Sequence, residues 1–145
     1  MVDNFYSDLR AARGAELLVK EVLSQLTDAY TFEDVSNKRE YFYKGDILAI
    51  ERATGKRVFI EVKDDSCIAR TRNVLCEENV LYYDTNTIEK GNMGANYDIY
   101  CVVSQQERKI YVIDFATLQR NYKKGIYKVI PHPTQTTYCY LCSLH

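Results

Sequence analysis

Asp46, Glu61 and Lys63 are the residues whose types and spacing fit a reaction. They stand in Tyr41-Phe-Tyr-Lys-Gly-Asp46-Ile-Leu-Ala-Ile and, further on, in Val58-Phe-Ile-Glu61-Val-Lys63. On a strand, Glu61 and Lys63 leave the same face while Ile60 and Val62 enter the other. Ala53-Thr54-Gly55-Lys56 reads as a hairpin turn that lays Asp46 beside that strand. Two carboxylates and an ammonium then converge on one sheet face. Such a pair of oxygen ligands suits Mg²⁺, a hard ion that keeps several waters. The lysine can hold or help deprotonate an attacking water, or neutralise a phosphate during attack. Gly45, just before Asp46, lets the backbone bend and leaves room for close approach.

The elements that must position these residues follow from periodicity. Leu9, Ala12, Ala15, Val19, Val22, Leu23 and Leu26 recur at helical spacing and predict a helix over about residues 8–28. Glu16 lies within that apolar stripe, near its edge, where a carboxylate needs a reason. Beyond the helix, short β-branched and aromatic runs predict strands over residues 30–35, 46–51, 57–63, 73–83, 97–104 and 109–114. A short helix follows at residues 115–122, and a last strand at 136–144. Residues 85–96, with Gly91 and Gly94, read as a loop. The expected architecture is α/β, a single domain over residues 1–145. It has one mixed sheet, a long N-terminal helix on one face and a short helix after the last core strand.

Glu16, Gly45-Asp46 and Ile60-Glu61-Val62-Lys63 resemble the PD-(D/E)xK nuclease superfamily, which includes Holliday-junction resolvases and many restriction and phage nucleases. The resemblance spans residues 13–118 and includes the order helix, hairpin, strand. It implies a restriction-endonuclease-like fold and Mg²⁺-dependent cleavage of nucleic acid, DNA above all, with Mn²⁺ able to substitute. By it, Asp46 and Glu61 bind the metal with the Val62 carbonyl, Lys63 is the catalytic lysine, and Glu16 assists the metal site. Thr71-Arg-Asn73-Val-Leu-Cys-Glu77 also looks like a phage-type member, where a turn leads into a strand bearing Glu. Gly45 stands where the motif name has Pro, at a position that varies widely in the superfamily.

Each of these residues also has a plain structural reading. Glu-x-Lys on a strand is a common solvated face, Asp46 can cap a turn, and Glu16 can pair with Lys20. Arg13, Lys44, Arg70 and Arg72 flank the cluster in sequence and could contact phosphates, which gives affinity without sequence information. Tyr41 and Tyr43 can stack on bases or simply pack on the sheet. Two other functions stay open. One is a catalytically silent nuclease-like fold, for example phage-encoded, that binds or regulates. The other is a small zinc-stabilised interaction domain built on Cys139, Cys142 and His145, with His132 upstream. On a strand, however, Cys139 and Cys142 point to opposite faces.

The whole-chain quantities set the limits. At 145 residues, 46% hydrophobic and with 13 Tyr, the chain has material for one core and the wrong composition for disorder. No apolar run suits a membrane helix, and the polar start is not a signal peptide. The five cysteines are odd in number, which points to free thiols in a reducing compartment. Cys76 and Cys101 sit in apolar runs and read as core residues. The expected setting is cytoplasmic, in a bacterium or a phage-infected host, and a homodimer is compatible with it. The net charge of −1 excludes a protein that coats nucleic acid and leaves room for one that cuts it. Acids exceed bases 7 to 3 over residues 64–100, and bases exceed acids 6 to 2 over residues 101–145.

Overall fold

The computed structural model describes residues 2–41 and 44–144, with side chains from Gly14 onward. The chain divides into two compact units, Met1–Ala69 with Asn96–Phe115, and Arg70–Ala95 with Ala116–His145. Among the described residues, no helix is long and apolar enough to cross a membrane.

The first unit holds α1 (Val2–Leu26) and a five-stranded mixed sheet. Its strands are β1 (Tyr30–Asp34), β2 (Ile47–Glu51), β3 (Arg57–Asp64), β6 (Ile99–Ser104) and β7 (Lys109–Asp114), in the order β1-β2-β3-β6-β7. All neighbours are antiparallel except β3 and β6, which run parallel with Glu61 beside Tyr100. Ala15 and Val19 of α1 are fully buried against Ile47, Ala49, Ile60, Val62, Cys101 and Val103. The predicted stripe of α1 therefore covers one sheet face, with Leu23 packed at its margin. Leu26 at the helix end is 75% exposed, and Leu9 and Ala12 lie outside the described side chains. Because side chains alternate along a strand, packing Ile60 and Val62 under α1 sends Phe59, Glu61 and Lys63 to the opposite face.

The second unit holds a four-stranded antiparallel sheet that the sequence reading did not separate from the first. Its strands are β4 (Asn73–Tyr82), β5 (Thr87–Lys90), β8 (Ile126–Pro131) and β9 (Gln135–Ser143), in the order β5-β4-β9-β8. Two elements correct the expectation of a single sheet. Residues 85–96 are not all loop, because Asn86 takes a left-handed turn (φ 51°) that folds β5 back on β4. β8 ends on Pro131, two residues before Pro133, where no strand was expected. It lies at the sheet edge, where proline is tolerated. α2 (Ile68–Thr71) precedes β4, and α3 (Phe115–Asn121) follows β7 directly, as predicted. Gln119 of α3 donates to the carbonyls of Met93 (3.0 Å) and Ala95 (3.2 Å).

Cys76 and Cys101 are fully buried, and burial pushes both thiols up to about 12. They are inert core residues at physiological pH.

Candidate active site

The site is built where the start of β2 meets the middle of β3. Gly45 has φ 141°, and a Cβ there would lie 2.9 Å from the Ile60 carbonyl oxygen. Only glycine allows that approach. It lets the Asp46 N–H donate to the Ile60 carbonyl at 2.8 Å and the Val35 N–H donate to the Asp46 carbonyl at 2.8 Å. The Asp46 side chain is fixed in turn, its carboxylate accepting the Val62 N–H at 2.9 Å. The proposed bend at Gly45 thus presses one acid against the strand that carries the other.

Glu61 is only 8% exposed. Tyr100, its neighbour on β6, is fully buried and lies 5.9 Å from Phe115, ring centre to ring centre. Tyr97 packs edge-on against Phe115 at 4.9 Å. Burial pushes the Glu61 carboxyl up to about 8, helped by its hydrogen bond to Asp46 and the charge there. The Lys63 ammonium and a hydrogen bond from Tyr97 oppose the shift. The two carboxyl groups are hydrogen-bonded to each other across the β2–β3 pair. Burial is the larger cause and the facing acid the smaller one.

Lys63 completes the group. Its Nζ lies 3.7 Å from Glu61 Oε2, and its side chain is 41% exposed. That distance is an ion pair and too long for a hydrogen bond. The ammonium therefore sits at the mouth of the site, within reach of solvent, while Glu61 lies at its floor. Lys44 approaches the same face, with Nζ 5.6 Å from the centre of the Phe59 ring, and Tyr41 packs on Phe59 at 5.9 Å. Of the two readings of Tyr41, its ring contact supports packing on the sheet.

The other expected residues are placed as follows. Glu16 is half-buried on α1, which packs the opposite sheet face. Among the described residues, no three His, Cys, Asp or Glu side chains are grouped to hold an ion. Asp46 and Glu61 are the two acids whose side chains the structure brings into contact there. Arg70 and Arg72 belong to the second unit, Arg72 with a left-handed φ of 57°. Glu77 is there too, its N–H donating to Asn92 Oδ1 at 3.0 Å. The side chain of Arg13, and all of Tyr43 and His145, lie outside the described residues. Cys139 pairs with Glu77 and Cys142 with Val74 across β4, so the two thiols occupy opposite faces of β9.

Sequence reasoning missed Tyr97, Tyr100, Phe115 and Asp98. Asp98 Oδ2 accepts the Phe59 N–H at 2.8 Å and the Asp98 N–H donates to the Phe59 carbonyl at 2.9 Å, fastening β6 to the site strand. Their separation from Glu61 in sequence left no local signal; only the parallel β3–β6 pairing brings them together.

No protein-family model matches the sequence, and no curated protein is significantly similar to it. Among solved structures, the chain is similar to D212, a nuclease from a fusselovirus. The TM-score is 0.45 and the identity 14%, over 88% of this chain and 82% of that one.

Proposed function

We propose that the chain hydrolyses phosphodiester bonds in nucleic acid, DNA in particular, as a Mg²⁺-dependent nuclease of PD-(D/E)xK type. The observation that carries this reading is the meeting of Asp46, Glu61 and Lys63 on adjacent strands of one sheet face. The donor set fits the ion. Two carboxylates in contact, one of them buried, offer hard oxygen ligands whose mutual repulsion a divalent cation relieves. Asp46 and Glu61 would hold it together with the Val62 carbonyl, and Mn²⁺ would substitute. When bound, the ion stabilises charge on the phosphate and lowers the pKa of an attacking water.

The chain's own residues supply the rest. The Val62 N–H holds the Asp46 carboxylate in orientation, and Tyr97 holds Glu61. Lys63, at the mouth, neutralises the phosphate oxygen that gains charge during in-line attack. Lys44 adds a backbone contact on the same face. Glu16 assists from α1 as the helix-borne acid. One observation favours a second reading, a binding module without turnover: among the described residues no three acids are grouped to hold an ion.

Labelled duplex, single-stranded and branched DNA, incubated with Mg²⁺ or Mn²⁺ and with EDTA, separate the two readings. Metal-dependent nicking that Asp46→Ala and Lys63→Ala each abolish supports the nuclease. Activity that survives both substitutions removes the assignment, and nucleic-acid binding without nicking, indifferent to Glu61→Ala, supports the binding module.

A further inference from the structure

The second sheet presents an apolar, aromatic face that the metal site leaves unused. Tyr127 and Val129 on β8 are each 50% exposed, and Ile88 on β5 is 66% exposed. The register sets Tyr138 between Val129 and Asn79, and Tyr127 beside Tyr140. Directly paired residues share a face, so these side chains stand on one surface. Tyr127, Tyr138 and Ile88, with Glu78 and Asn79, line a shallow depression of about 220 Å³. Tyr127 meets Tyr140 edge to face at 5.2 Å, which holds an exposed ring in a fixed orientation.

Charge selects the occupant. The second unit carries seven Lys and Arg against four Asp and Glu, whereas the first carries 12 against 16. Residues 116–145 contain four bases and no acid. The acid in the depression, Glu78, is neutralised by Lys123 at 2.9 Å and accepts the Tyr122 hydroxyl at 3.1 Å. An exposed Tyr127 ring beside the half-buried rings of Tyr138 and Tyr140, in a unit with more bases than acids, matches the bases and phosphates of an unpaired strand. Duplex bases are stacked inside the helix and offer no face to such rings.

A second copy of the chain fits this surface less well. His132 and Gln135 exchange both backbone hydrogen bonds, so by alternation Tyr127 and Val129 turn their N–H groups outward from β8. The two-fold pairing of β8 with itself that uses both groups sets Lys128 against its own copy. Like charges directly opposed destabilise a strand pair, and a lysine on an edge strand guards against it.

We propose that this sheet face binds single-stranded nucleic acid, bases stacking on Tyr127 and Tyr138 and phosphates meeting Lys90, which shares the face through its pairing with Asn79. The proposal stands on exposure, ring geometry and charge, and does not require the metal site. It is tested by fluorescence anisotropy of a labelled oligothymidine of about a dozen nucleotides with the full chain in EDTA, where no cleavage competes. The expected result is salt-sensitive binding, tighter for the single strand than for a duplex of equal length. Tyr127→Ala should weaken it about 5- to 100-fold, and Tyr127→Phe, which keeps the ring, should retain it. Circular dichroism checks that both variants fold, and a half-exposed position makes that the expected outcome. Absent binding, equal or tighter binding of duplex, or indifference to Tyr127→Ala overturns the proposal. A doubling of mass that Tyr127→Ala abolishes, without oligonucleotide binding, assigns the face to a second copy and overturns it as well.

Discussion

The Asp46 carboxylate accepts the backbone N–H of Val62 at 2.9 Å, so one acid of the site is fastened to the strand that bears the other. That bond explains why the pair is positioned before any ligand arrives. It also makes the geometry depend on Gly45, whose backbone lets Asp46 come this close.

Gly45→Ala should cost about 1–3 kcal/mol of stability, because the new methyl meets the Ile60 carbonyl and φ is positive. Urea denaturation measures the loss. Cleavage should fall further than stability alone explains, since Asp46 shifts with the backbone. A variant of unchanged midpoint and activity contradicts the role given to Gly45.

Glu61→Gln should stabilise the metal-free protein. The folded-state carboxyl is held at about 8 against an ordinary value of 4.5. The folded state therefore binds more protons than the unfolded one between those values, and stability falls as pH rises through that window. Glutamine removes the ionisation. In EDTA its advantage over wild type should be small near pH 4.5 and exceed about 1 kcal/mol by pH 8. Thermal melts across that range read it, and an advantage that shrinks with rising pH contradicts the burial account.

Divalent metal should reverse that penalty. At about a hundred times its dissociation constant, Mn²⁺ should add about 2.7 kcal/mol of stability, seen as a raised Tm that EDTA cancels. Asp46→Asn should lose the shift. Lys63→Ala should keep it, because the ammonium lies outside the carboxylate pair.

Lys63→Ala should lower cleavage by about 10²-fold or more while metal binding persists. Lys63→Arg should recover part of the rate, since it restores charge with a different donor geometry. Single-turnover rates with saturating Mn²⁺ separate the two effects.

Asp46, Glu61 and Lys63 could be read from the sequence because their relation is local. A two-residue spacing on a strand and a four-residue hairpin turn fix which side chains share a face. The α1 stripe was legible for the same reason, through Ala15 and Val19. What escaped was set by distant pairing. The Tyr97–Tyr100–Phe115 cluster over Glu61 exists only because β3 and β6 run side by side. Glu16 was legible as a carboxylate on a core-facing stripe, but sequence cannot say on which sheet face the helix packs. β5 and β8 were hidden by punctuation. Gly91 and Gly94 made a four-residue strand look like loop, and Pro131 and Pro133 masked an edge strand that tolerates them.

The most direct measurement is anomalous diffraction from crystals of the chain soaked in Mn²⁺. A peak between the carboxylates of Asp46 and Glu61, absent from Asp46→Asn crystals, is the predicted result. Crystals with no density there at saturating Mn²⁺, or with the ion bound instead beside Cys139 and Cys142, contradict the account.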